Sequence, residues 1–549
     1  MTDDIKYALG YHEATKHSEI SLQLSRHSLD WDNRPRPFKV YTKLPSISLP
    51  SNFSEPDLDA ITSVRAVRPI SSMAAAAKTN VLDLKKVAEV LFFSAGITRE
   101  MKYPYGSFYL RAASATGALY PIELYIVCQD IPGLRAGVYH FCPGDFTLTG
   151  LRSGDYRANL AAAAGYNKNI MTSPLTIIFT SIAWRNAWKY EARSYRHWFW
   201  DSGVIAANLL ATSASSHLQS FLILGFVDHM VNRLLILDDK REAAIEMAAI
   251  GVGLSKDPIV SERKEIASLP LPEVLPLSKK GEKDYPEIWK MHQASSLSNI
   301  EDVKHWVNCG TEFKRLDPNK SIMDSIQLER PESKSKSSLQ PSLGEVILLR
   351  GSSRRFVRGP ISLMQLSTIL ETSTRGVPLD FLGDEENKTN TTTIDVYMIV
   401  NDVEGLQQGS YFFNRLTSSV EQLKSKVSRD MSGYLCLGQS LLSDASVVFF
   451  LMTDLLAMLK TCGNRGYRAS QFEAGVIAGK IYLAAYAQQL GATGSTFFDD
   501  AVTEFFSPHA KDKSTMIVVG VGIPGYKARR GKVLATRLSK DQLLAQESL

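Results

Sequence analysis

Hydrophobic positions along the chain fall into two kinds of block. Runs such as "IELYIVC" (Ile122–Cys128), "LTIIFTSIA" (Leu175–Ala183), "IDVYMIV" (Ile394–Val400) and "ASVVFFLMT" (Ala445–Thr453) are β-branched and aromatic and predict strands. After the first and third come the turns "DIPGL" and "DVEGL", and then "AGVYHF" and "GSYFF", so each set predicts a hairpin-like unit. "DSGVIAANLLATSASSH" (Asp201–His217) and "EAGVIAGKIYLAAYAQQLG" (Glu473–Gly491) carry small and apolar residues on nearly every face, the pattern of a helix buried all round. Each half closes on a strand ending in Gly-Val-Gly, at Gly253 and Gly522. The predicted class is α+β, with a sheet packed on buried helices.

The blocks also repeat. Ile122–Phe141 aligns without a gap on Ile394–Phe413, and Arg193, Tyr195, Arg196, Gly203, Val204, Ile205 and Ala206 recur as Arg465, Tyr467, Arg468, Gly475, Val476, Ile477 and Ala478, both at an offset of 272. A shared offset in separated segments predicts a tandem duplication. The intervening chain is Pro-rich in "ASLPLPEVLPLSKKGEKDYPEIW" and Ser/Lys/Pro-rich in "ERPESKSKSSLQPS" (Glu329–Ser342), which predicts an extended and then a mobile linker. Copy one is placed at 1–266, the linker at 267–342 and copy two at 343–549.

A length of 549 residues agrees with two or more domains. With 62 basic and 57 acidic residues the net charge is +5, which gives no reason to expect nucleic acid as a partner; "KARRGK" (Lys527–Lys532) reads as a local anion site or solvated surface. Five scattered cysteines without a Cys-x-x-Cys pair argue against a disulfide framework or a zinc site and fit a reducing cytoplasm. The polar N-terminus lacks the apolar core of a signal peptide, and the longest apolar stretch, Ala445–Leu459, is interrupted by Asp454 and reads as a strand entering a helix, so no membrane anchor is expected. His140, His197, His217 and His229 show no metal-ligand spacing and read as structural. Trp184, Trp188, Trp198 and Trp200 could stack on a ligand, but their density before a buried helix reads as core. Asp201 and Glu473 read as helix-start or internal hydrogen-bond residues, and the glycines of "GVGIPG" as strand-end turns without a dinucleotide fingerprint.

Copy two opens with "LLRGSSRRFVRGPISLMQLSTIL", an Arg-x-Ser-x-Arg-x-Phe motif at Arg350, Ser352, Arg354 and Phe356 leading into a helix. Two guanidiniums and a hydroxyl near a helix start suit a phosphate monoester, and a basic surface turn would look the same. Together with the strand and helix blocks, the motif resembles that of the nitroreductase-like flavoprotein superfamily, in which it holds the phosphate of FMN. Within it, "YHEATKHS" (Tyr11–Ser18), "RPRPFKVY" (Arg34–Tyr41), "RAASATGALYPIELY" (Arg111–Tyr125), "GVYHF" and "KYEARSYR" look like the SagB/ThcOx-type dehydrogenases, which include azoline oxidases of peptide natural-product pathways. Family members commonly read Arg-Ala-Ala-Pro-Ser-Ala-Gly at "RAASATG"; here Ser114 stands at the Pro position and Ala115 at the Ser position, leaving backbone contacts to the flavin.

The resemblance implies two nitroreductase-like FMN-binding folds forming an intramolecular pseudo-dimer with two unequal sites. Site one would take Arg350, Ser352, Arg354, Lys527, Arg529, Gly494 and Ser495 from copy two, and Arg111, Ser114, Ala115, Thr116, Gly117 and the Lys189-Tyr190 pair from copy one. Site two would be vestigial: copy one has "SVRAVRPISSM" for the cradle, unless Arg65 and Arg68 still bind a phosphate, and copy two has Thr461-Cys462 for Lys-Tyr. A Lys-Tyr dipeptide is ordinarily a surface Lys beside a packed Tyr; here the resemblance makes it the catalytic base, an ammonium favouring phenolate and burial lowering the Lys pKa. The implied activity is FMN-dependent oxidation of azolines to azoles, or of a related peptide or amino-acid-derived intermediate, with room for a delivering partner protein and further self-association. An NAD(P)H-dependent nitro- or quinone reductase and a flavin-free, leader-peptide-binding scaffold are the alternatives.

Overall fold

The computed structural model describes residues 5–66, 81–103, 106–255, 263–310, 325–329, 340–382 and 392–545. In copy one, seven antiparallel strands run edge to edge in the order Ser46–Ser48, Thr147–Ser153, Gly137–Cys142, Ile122–Cys128, Leu175–Ile182, Glu242–Ile250, Ser220–Ile223. Copy two repeats this order with Ser325–Gln327, Ser419–Ser425, Gly409–Asn414, Asp395–Val400, Val447–Thr453 and Ser514–Pro524, the last pairing both Gly491–Ser495 and Phe356–Val357. The register is shared as well: Leu124 faces Phe141 and Cys128 faces Gly137, as Val396 faces Phe413 and Val400 faces Gly409. The expected α+β tandem is therefore the observed one.

The hairpins were legible, whereas the strands Thr147–Ser153 and Ser419–Ser425 were not, because Gly150 and charged side chains break their apolar alternation. Gly520 and Gly522 lie within a strand rather than at its end, while Gly251 and Gly253 follow theirs at positive φ. The segment read as linker contains two helices, Pro286–Ala294 and Ile300–Cys309, and the edge strand Ser325–Gln327 of the copy-two sheet.

The two long helices, Ser194–Ser215 and Arg465–Ala487, begin well before the apolar blocks that announced them. They cross at glycine. A Cβ on Gly203 would lie 2.7 Å from backbone atoms of Phe472, Gly475 and Val476, and one on Gly475 would lie 2.7 Å from the Phe199 carbonyl oxygen. Only a hydrogen side chain allows this approach.

Buried charges repeat the pseudo-twofold. Arg193 and Arg196 donate to Asp499 at 3.0 and 2.7 Å, and Arg465 and Arg468 donate to Asp228 at 2.8 and 2.7 Å. Arg196 also reaches the His12 carbonyl and Thr15 Oγ1, as Arg468 reaches the His292 carbonyl and Ser295 Oγ. The helices Lys6–Ala14 and Pro286–Ala294 are thus counterparts. Burial raises the Asp228 carboxyl, but Arg465 and Arg468 outweigh it and hold the pKa at about 2. Its stabilisation is complete above the unfolded value of about 3.9 and is lost as pH falls through the folded one. Asp228→Ala strands two buried guanidiniums and is expected to cost about 3–5 kcal/mol in a urea titration at pH 7.

One expectation is overturned. Cys309 and Cys462 form a disulfide, with Cα atoms 5.4 Å apart, although they are 153 residues apart in sequence and belong to no recognisable motif. Among the described residues no helix is long and apolar enough to cross a membrane, and no His/Cys/Asp/Glu group could hold a metal ion.

Candidate active site

Strand Leu175–Ile182 runs directly into helix Ala183–Tyr190, whose last two residues are Lys189 and Tyr190. The chain then turns through Glu191 at φ 49°, ψ −141°; the copy-two counterpart at the same turn is Gly463, at φ 62°, ψ −166°. A non-glycine residue there stores about 1–3 kcal/mol of strain, of the kind that clusters at working sites. The Tyr190 ring stands edge-on to His197 at 4.6 Å, His197 packs on Trp200 at 4.8 Å, and Trp200 Nε1 donates to Gln471 Oε1 of copy two at 2.6 Å. All four tryptophans of this region are buried, in keeping with a core role.

The Arg111–Gly117 loop is held from both copies. Arg350 donates to the carbonyls of Ala112 and Arg111, each at 2.9 Å, and Asn208 donates to Ala112 O at 3.1 Å. The Thr116 N–H and hydroxyl both donate to Asp201 Oδ1, so Asp201 is an internal hydrogen-bond residue in mid-helix. Arg111, Ser114, Ala115 and Asp201 line a small cleft under this loop. Gly117 sits at φ 63°, and a Cβ there would lie 2.8 Å from Tyr190 Oη, so the loop touches the phenol.

The Arg-x-Ser-x-Arg motif differs from the expected cradle in two ways. It follows the C-terminus of helix Leu343–Leu349, and the next helix starts only at Leu363 behind its cap Ser362, so the motif does not itself open a helix. Arg350 is buried and spends two nitrogens on the copy-one loop. Arg354 is exposed and acts electrostatically on both Lys189 and Tyr190. Arg34 joins them, with its guanidinium 4.5 Å above the Phe108 ring; sequence reasoning quoted it within "RPRPFKVY" but gave it no role. Ser352 Oγ lies 3.3 Å from Tyr482 Oη, which accepts the Gly494 N–H, and Ser495 Oγ accepts from Gln439 at 3.0 Å. Tyr482 carried no signal beyond its place in an apolar helix. Lys527 and Arg529 are exposed on a C-terminal arm that Gly531 and Lys532 pin to Leu348 and Thr98.

Burial and the cations Arg354 and Arg34 lower the Lys189 pKa, favouring a neutral amine. Tyr190 moves the other way: burial and then the Asp201 carboxyl raise it, outweighing Arg354. This corrects the phenolate expectation, since the half-buried phenol keeps its proton. Burial lifts Asp201 itself to about 7 against the opposing bonds from Thr116 and Asn186.

The counterpart cleft is filled. Cys462 stands where Tyr190 stands in copy one and is bonded to Cys309 at the end of helix Ile300–Cys309. Trp306 of that helix stacks on Phe381 at 4.9 Å, and Asp380 Oδ2 accepts the N–H groups of Leu224 and Gly225 at 3.1 and 2.7 Å. Those amides occupy the place in copy one that Thr496 and Phe497 occupy in copy two, directly after the Gly494–Ser495 position. Arg68 lies outside the described residues.

Residues 347–523 match the family model described as "Nitroreductase family". The match falls within copy two and spans about a third of the chain. A Methanocaldococcus jannaschii protein named "Putative nitroreductase MJ1384" is 25% identical over 154 residues, covering 28% of this chain and 74% of its own. The nitroreductase-like fold extends over both copies: a crystal structure described as "a putative nitroreductase" from Anabaena variabilis is 25% identical, covers 94% of this chain and 99% of its own, and has a TM-score of 0.70. A chain of the E. coli microcin synthetase McbBCD complex with truncated pro-MccB17 bound is 19% identical, with coverages of 44% and 85% and a TM-score of 0.28.

Proposed function

We propose that this chain is an FMN-dependent dehydrogenase with one composite site per chain, oxidising azoline rings or a related peptide or amino-acid-derived intermediate. The observation that carries the proposal is that the Gly117 loop of copy one packs against Tyr190 and that Arg354 of copy two acts electrostatically on both Lys189 and Tyr190, while the counterpart cleft holds Trp306, Asp380 and a disulfide. The donor set suits a flavin phosphate and ring: the charges acting on Lys189 are both cationic, and the Gly117 backbone packs against the phenol with no side chain between them. Arg354, with Lys527 and Arg529 on the arm and Ser352, would hold the phosphate; Ser114–Gly117 and Gly494–Ser495 would flank the ring, and Arg111 and Arg350 fix the loop between them. Bound FMN would supply the two-electron sink, taking a hydride and returning electrons to oxygen.

The chain's own part is the proton. A neutral Lys189 amine accepts it from the substrate carbon, and the protonated Tyr190 donates a hydrogen bond beside it. The motifs shared with SagB/ThcOx-type dehydrogenases supply the substrate class, and a partner protein could deliver the peptide. The nitroreductase-family match supports a second reading, a reductase driven by NAD(P)H. Steady-state assays separate the two: oxygen consumption with an azoline peptide and no nicotinamide supports the dehydrogenase, and NAD(P)H oxidation with a nitroarene supports the reductase. Arg354→Ala is expected to raise the FMN dissociation constant at least about tenfold, the loss of one charge-assisted contact. A variant that retains flavin through gel filtration like the parent would remove the phosphate role.

A further inference from the structure

Asp201 is a buried carboxylate that the proposed chemistry leaves unused, and its two oxygens reach two different elements. Oδ1 accepts the Thr116 N–H at 2.8 Å and the Thr116 hydroxyl at 2.7 Å, while Oδ2 accepts from Asn186 Nδ2 at 3.3 Å. Asn186 lies one helical turn before Tyr190 on helix Ala183–Tyr190, so the two share a face. Thr116 adjoins Gly117, which touches Tyr190 Oη. The connections close a ring from carboxylate to loop, loop to phenol, phenol to helix, and helix back to carboxylate.

Copy two has a carboxylate at the same place on its central helix. Glu473 there accepts the Thr393 N–H at 3.0 Å and the Thr393 hydroxyl, at the place of Pro121 beside the strand rather than at that of Thr116, whose counterpart lies outside the described residues. At the place of Asn186, however, stands Met458, which cannot donate, and at the place of Tyr190 stands Cys462 in its disulfide. The link from carboxylate to helix exists only where the Lys-Tyr pair exists, which separates it from the general architecture of the fold.

We propose that Asp201 is a positioning residue that clasps the Thr116–Gly117 segment to the Lys189–Tyr190 helix, fixing the separation between the flavin-side loop and the base. The inference rests on reading these residues as parts of one FMN site. The clasp is made by the ionised carboxylate, which accepts three donors. Facing it are the neutral donors Thr116 and Asn186 and the phenols Tyr190 and Tyr120, with Arg354 acting on Tyr190, and Arg111 and Arg350 on Tyr120. Protonation removes acceptor capacity, so the clasp loosens as pH falls through the carboxyl's raised range near 7.

The test uses Asp201→Asn, together with Asn186→Met, which copies the residue at the equivalent place in copy two and leaves the Thr116 bonds intact. Hydrogen exchange of the loop amides in flavin-free protein should rise about tenfold in both variants, the effect of one lost bond to a charged group. In turnover, kcat should fall with KM little changed, and the acid limb near pH 7 should vanish in Asp201→Asn. Unchanged exchange in both variants overturns the clasp. Faster exchange in a protein that neither binds FMN nor turns over would keep the clasp and overturn the FMN reading instead.

Discussion

Lys189→Ala is expected to keep its flavin and lose turnover by about 10²–10⁴-fold, the usual contribution of a positioned base. The retained flavin follows because the amine is assigned to the substrate's proton, whereas Arg354, Ser352 and the loop backbone are assigned to the cofactor. The magnitude follows from the environment: half-burial and two neighbouring guanidiniums lower the Lys189 pKa, so the neutral base is available at lower pH than an ordinary lysine allows. In the parent, kcat should rise with pH along a limb lying below about 10.4, the unperturbed lysine value, and the limb should be absent from the residual activity of the variant. Tyr190→Phe should lose less, because the half-buried phenol stays protonated and gives up one hydrogen bond rather than a base. Equal losses in the two variants, with the limb kept in Lys189→Ala, would assign the base to Tyr190.

Gly475→Leu is expected to be the most damaging substitution outside the site. The new Cβ would stand 2.7 Å from the Phe199 carbonyl oxygen and 2.9 Å from Trp200 Cα, both backbone atoms of a helix buried along its length, so neither neighbour can yield like a flexible side chain. Overpacking of this kind costs about 3 kcal/mol or more. The same helix-helix contact sets Trp200 against Gln471 and, through His197, backs Tyr190, so flavin affinity should fall along with the urea midpoint. Gly10→Ala, on the exposed face of helix Lys6–Ala14 with nothing within 4 Å of the added carbon, should leave both unchanged or raise stability slightly.

Much of this arrangement was written in the sequence because duplication printed it twice. The repeat at offset 272 marked the hairpin-like units and the two buried helices, and the single Lys-Tyr pair marked which half of the pseudo-dimer differed. Other parts were hidden for physical reasons. The repeat "YHEAT" and "MHQAS", at Tyr11–Thr15 and Met291–Ser295, lies at another offset and matters through two backbone carbonyls and two hydroxyls, which composition does not reveal. The Cys309–Cys462 bond joins residues far apart in the chain, and cysteine spacing is blind to such a pairing. Arg350 fits the cradle motif by residue type, yet its guanidinium serves the facing copy, a role set by the pairing of the two halves. The Tyr190 pKa could not be inferred from its neighbour in sequence, because burial and Asp201 act on it more strongly than the adjacent ammonium.

The central claim is that one of two pseudo-equivalent clefts works and the other is closed by Trp306, Asp380 and Cys462. Saturating the purified protein with FMN, removing the excess, and quantifying the flavin released per chain tests this most directly. One FMN per chain is the predicted result. Two per chain would mean that the filled cleft opens to flavin, and none would remove the cofactor from the account; either contradicts it.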